Sequence, residues 1–124
     1  MSEPSGLAAR IDSIERGYEY LLAYAAQGRQ EEQGTEARPT LEAMHAALVD
    51  LAALARAELG QGSDADIEAY LDTVASDAQS ARGAIALVLS RPRIASLLVD
   101  NLNASVHLRA LLTDVFLLEQ ALKV

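Results

Sequence analysis

The segment from Arg93 to Val124 constrains the fold more than any other part of this 124-residue chain, because its apolar arc is too wide for an ordinary surface helix. Ile94, Asn101, Leu108, Val115 and Leu122 recur every seven residues. Leu97, Ala104, Leu111 and Leu118 flank that line on one side, Leu98, Ser105, Leu112 and Glu119 on the other, and Leu102, Phe116 and Leu117 widen it. Such a helix has to be covered on several sides, by the rest of the chain or by a partner. It is expected to span about 92–122, with Asn101 and Asn103 as the one place for a bend or restart, and to be the most buried helix of the fold, with Ser90 as its cap.

Three further amphipathic segments can supply the cover. Leu7, Ile11, Ile14, Tyr18, Leu21 and Ala25 alternate four and three apart and predict a first helix over about 5–26. Leu41, Met44, Leu48, Leu51 and Ala55 predict a second over 40–59, opened by Pro39-Thr40 and stopped by Gly60. Ile67, Leu71, Val74, Ala78, Ala81, Ile85 and Val88 keep one register through a third, over 64–90, which Arg91-Pro92 ends. Gly60-Gln61-Gly62 makes a tight link into it, and Ser63 with Asp66 resembles a capping box. The polar stretch from Gly28 to Arg38 lacks a stripe and is expected to be a mobile loop.

The predicted fold class is therefore all-α, with residues 1–124 forming a single-domain antiparallel four-helix bundle in up-and-down order. Composition points the same way. The chain is 51% hydrophobic with 4% aromatics, is dominated by Ala and Leu, and nowhere collects β-branched and aromatic residues in period two.

Composition also removes several function classes. The absence of cysteine excludes disulfides, thiolate nucleophiles and cysteine-based metal sites. Neither a leader pattern at Met1–Gly6 nor an apolar run long enough for a membrane span is present, so a cytoplasmic protein without membrane contact is expected. The formal charge is −8 and only Arg91 and Arg93 sit together among the basic residues. A chain of that charge is repelled by phosphate backbones, and no nucleic-acid partner is expected.

Four groups of residues are candidates for a site. Glu42-Ala43-Met44-His45 places a carboxylate and an imidazole on one helix face, as in carboxylate-bridged di-metal bundles. Such a centre needs two copies, and His107 is preceded by Ala104, which leaves a mononuclear alternative built from Glu42, His45 and His107 with Glu15 or Glu19. Asp64-Ala65-Asp66-Ile67-Glu68 imitates a calcium loop but has Ala69 at the sharp turn and Ala75 where a bidentate Glu belongs. The acids between Glu58 and Asp77 instead suggest a patch for a basic partner. Tyr20 and Tyr24, on one face with Ser13 and Gly17, suggest either a ligand notch or a docking surface for another helix.

Asn101 and Ser105 interrupt the apolar line of the last helix, where a buried amide without partners costs about 1–3 kcal/mol. They are expected to fix register between helices or subunits, or to floor an internal pocket. No Gly-rich phosphate loop, GxSxG nucleophile or paired core carboxylates is apparent in the sequence. The functional expectation is a small non-catalytic accessory, adaptor or regulatory subunit without cofactor, working through protein–protein contact and homodimerisation. The alternative is a small-molecule- or metal-binding bundle, with an enzyme using Glu42, His45 and His107 as one form of it.

Overall fold

The structure is a computed structural model that describes residues 6–60 and 64–123. Among the described residues the chain is all helical: α1 Leu7–Ala25, α2 Ala37–Ala47, α3 Leu51–Leu59, α4 Ala65–Leu89, α5 Ser96–Ala104 and α6 Val106–Leu122. None of these helices is long and apolar enough to cross a membrane. The first and third expected helices are present as α1 and α4. The second and fourth are each broken, so the expected set of four becomes six.

The break between α2 and α3 lies at Asp50, whose backbone is left-handed at φ 57°. Aspartate tolerates that geometry better than most side chains, because its short polar group bonds locally. Arg10 of α1 supports the break from outside, its Nη1 donating to the carbonyls of Ala47 and Val49 that the interrupted helix leaves open. The break between α5 and α6 lies at Ser105, an extended residue at ψ 144°. Its Oγ donates to Leu102 O at 2.8 Å and accepts from Leu108 N at 3.3 Å, closing one helix and capping the next.

That second break corrects the register of the closing segment. A straight helix would carry Asn101 on the Leu108–Val115 line, but the extended residue at 105 resets the phase. Asn101 is exposed, its Nδ2 bonded to Leu97 O one turn back, and the buried residues of α5 are Ser96, Val99, Leu102 and Asn103. Leu102 is therefore core rather than surplus, and the exposed apolar residues nearby are Leu97 and Val106.

The two unbroken helices organise the packing, since α1 and α4 each pack against α2, α3, α5 and α6. Leu7, Ile11, Ile14, Leu21 and Tyr24 of α1 and Leu71, Val74, Ala78, Ala81, Ile85 and Val88 of α4 enter one core with Leu41, Met44, Leu51, Val99, Leu108, Leu111 and Val115. Gly17 sets how closely α2 approaches α1. A Cβ there would fall inside the van der Waals envelope of Met44 Cγ and Sδ and 3.5 Å from Thr40 Cγ2.

Helix α4 starts at Asp64, whose side chain accepts from Asp66 N and Ile67 N at 2.9 and 3.1 Å. Gln61, Gly62 and Ser63, the expected link and cap, lie outside the described residues. Ser90 closes α4 by donating to Leu87 O, and Ala95 rather than Ser90 precedes α5.

Candidate functional site

The densest polar construction joins the α1–α2 connection to the α4–α5 connection. Glu32 is its centre. One carboxylate oxygen accepts from Ile94 N at 2.7 Å, and the other accepts from Arg38 Nε and Nη2 at 3.0 and 2.9 Å. The hydrogen bond from Ile94 N, together with Arg38, holds the Glu32 carboxyl below its ordinary value of 4.5. Arg38 reaches further, donating to Leu89 O and Arg91 O at 2.9 and 3.0 Å, where it satisfies carbonyls at the end of α4.

Ser96 fastens the same connection from the other side. Its backbone N–H donates to Arg29 O at 2.9 Å, its Oγ donates to Tyr24 O at 2.7 Å, and that Oγ accepts from Arg29 N at 2.9 Å. The Tyr24 hydroxyl donates to Ile94 O, and burial raises its pKa. Asn103 adds a bond from Nδ2 to Leu21 O at 3.2 Å, while its Oδ1 is buried without a partner. The 28–38 stretch, expected as a mobile loop, thus bonds to residues about sixty positions away.

These contacts make a specific stability prediction. Ser96→Ala leaves Arg29 N without its acceptor and removes one donor from Tyr24 O, which keeps Gln27 N, and should cost about 1–3 kcal/mol in urea unfolding. Asn101→Ala, on the exposed face of α5, should stay within about 0.5 kcal/mol of the parent. Equal losses at the two positions would show that the clamp contributes nothing.

A second cluster lies between α4 and α6. Asp114 is 7% exposed and its Oδ2 has no hydrogen-bond partner. The half-buried Asp77 carboxyl lies within hydrogen-bond reach of it, and the Tyr70 hydroxyl donates to Asp114 O at 3.3 Å. Burial, and after it the Asp77 carboxyl, pushes Asp114 up to about 7 from 3.8. Burial also pushes Tyr70 up to about 12. Paired core carboxylates were not apparent in the sequence, because Asp77 and Asp114 meet only when α4 and α6 are folded against each other. Their one sequence signal is an acid beside Val115 on an otherwise apolar line.

The other expected site residues are scattered. Glu42 and His107 are exposed and His45 is half-buried in the last turn of α2. Among the described residues no group of three or more His, Asp or Glu side chains is placed to hold a metal ion. Ser105 is the cap described above. Tyr20 and Tyr24 stack with ring centroids 6.2 Å apart, and the Tyr20 hydroxyl accepts from Glu36 N at 2.9 Å, so both phenols are engaged in holding the connection.

Concavities among the described residues include the following three. Gly17, Ser13 and Tyr20 share an open notch of about 210 Å³ with Thr40 and Ala43. A larger trough of about 400 Å³ runs between α3 and α4 over Ala52, Ala75 and Ala78, with Arg56, Asp72 and Arg82 at its sides. Arg82 Nε is buried there without a partner, whereas Arg56 is paired with Glu68 at 2.9 Å. The third, about 280 Å³, opens between Leu7, Ile11 and Leu122 with Glu58, Glu119 and Lys123 around it.

The trough carries both signs of charge. No protein-family model matches the chain, and no curated protein or solved structure matches it either.

Proposed function

We propose that the protein is a non-catalytic helical accessory or adaptor subunit that works through protein–protein contact and associates with a second copy of itself. One observation carries this reading. Five of the eight exposed large apolar side chains among the described residues fall between Leu87 and Leu117, in the last three helices: Leu87 at 64%, Leu97 at 70%, Val106 at 67%, Phe116 at 44% and Leu117 at 57% exposure. Scattered exposed leucines are ordinary, but more than half of them falling in one stretch of the sequence leaves that stretch with apolar surface to cover, which supports a contact role.

Charge sets the conditions under which association is visible. Two copies each carrying −8 repel at low ionic strength, and salt screens that repulsion while leaving apolar burial intact. Light scattering at micromolar concentration should therefore give a mass above 13.2 kDa that rises with salt. The double variant Leu97→Glu/Leu117→Glu should be monomeric under the same conditions. A parent protein that stays at 13.2 kDa at every salt concentration defeats the self-association part of the proposal.

A further inference from the structure

Helix α6 is held against its neighbours over acid–acid contacts on two flanks. Toward α4, Asp114 meets Asp77; toward α1, Glu119 meets Glu15 within hydrogen-bond reach. An ionised carboxylate only accepts hydrogen bonds, so two of them face to face repel, whereas one proton between them makes a hydrogen bond. The Asp114 Oδ2 is buried without a hydrogen-bond partner, so nothing there offsets the burial of an ionised carboxylate. The residue at the base of α6 is the extended Ser105, a ready pivot.

We propose that α6 is a proton-dependent latch, docked on α1 and α4 while the facing carboxyls share protons and loosened from them when those protons leave. The surrounding charges do not cancel the effect. On α4 the groups facing Asp114 are Asp77 and Tyr70, with Arg82 directed into the trough on the α3 side. Around Glu15 and Glu119 stand Asp12 of α1, Glu58 of α3 and Lys123, the last opposing the other two. The charged residue of α5, Asp100, is exposed. Arg16, Arg38 and Arg56 are paired elsewhere, with Asp12, Glu32 and Glu68.

Burial is the larger cause that raises Asp114, and it raises Glu15 as well, with the facing carboxyl adding to each. For Asp114 this brings the change to about pH 7. Loosening uncovers Leu108, Leu111, Leu112, Val115 and Leu118, so the latch governs how much apolar surface the chain displays. It acts within one chain, whether or not two chains associate.

Amide hydrogen exchange of the full chain between pH 5.5 and 8.5 tests it, with rates corrected for intrinsic chemistry and α1 as internal reference. Opening of α6 relative to α1 should rise at least about tenfold across neutrality in the parent. Asp114→Asn, whose amide donates to Asp77 as a shared proton would, should remove most of that rise. Should Asp114→Asn fail to fold, Asp77→Asn at the half-buried partner must give the same flattening. A parent in which α6 and α1 open in parallel, or an Asp variant that keeps the parent's pH response, overturns the latch.

Discussion

Resistance to urea is expected to be greatest on the acid side of neutrality and to fall by about 2–4 kcal/mol by pH 8, with Asp114 as the main single cause. Its carboxyl goes from 3.8 in the unfolded chain to about 7 in the folded one. Between those values the folded state binds the extra proton, so stability declines as pH rises and levels off once the folded carboxyl has also ionised. Glu32 works in the opposite sense and in another window. Its folded value lies below 4.5, so its contribution is complete above that pH and disappears as pH falls further. The sum is a maximum between about pH 4 and 5.

General repulsion in an acidic chain also weakens the fold at high pH, so the informative quantity is the difference between the parent and Asp114→Asn. The variant should be the more stable by an amount that grows from about 1 kcal/mol at pH 4.5 to about 4 kcal/mol at pH 8. Parallel stability curves for the two proteins would show that Asp114 ionises in the folded chain as it does in the unfolded one.

Much of the helical content was legible from period alone. The heptads of α1 and α4 have no interruption, and both helices lie within two residues of their expected ends. The second and fourth helices were misread for a shared reason. Asp50 and Ser105 are ordinary residues in a helical pattern, and what makes them breaks is long-range: Arg10 collecting the carbonyls of Ala47 and Val49, and two helix segments each needing its own approach to α1 and α4. The misplaced phase then promoted Asn101 and hid Asn103, two positions away on another face.

The clamp was illegible for a related reason. Glu32, Arg29 and Arg38 look like a solvated polar run, and their partners carry no complementary signal because Ile94 and Leu89 contribute backbone groups and Ser96 a hydroxyl like that of any other serine. Backbone donors are present at every non-proline residue, and only the fold selects which are left open.

Gly17→Leu is expected to destabilise the chain by at least about 3 kcal/mol, against a helix-propensity gain of about 1 kcal/mol that the same change brings to α1. Gly17 is buried and any Cβ there falls on Met44, itself 1% exposed, so a side chain cannot reach the neighbouring notch without first moving the methionine. It must displace Met44, part α2 from α1, or move the backbone of both. Parting them would also strain Arg10, which bridges α1 to the end of α2. The decisive experiment is a double-mutant cycle with Met44→Ala. Alone, that substitution opens a cavity and costs about 2–5 kcal/mol. Combined with Gly17→Leu, the new side chain fills the space the methionine vacated, and the pair should be more stable than the sum of the single losses by about 1–3 kcal/mol. Strict additivity would mean that the close approach of α1 and α2 is set by some contact other than Gly17 on Met44.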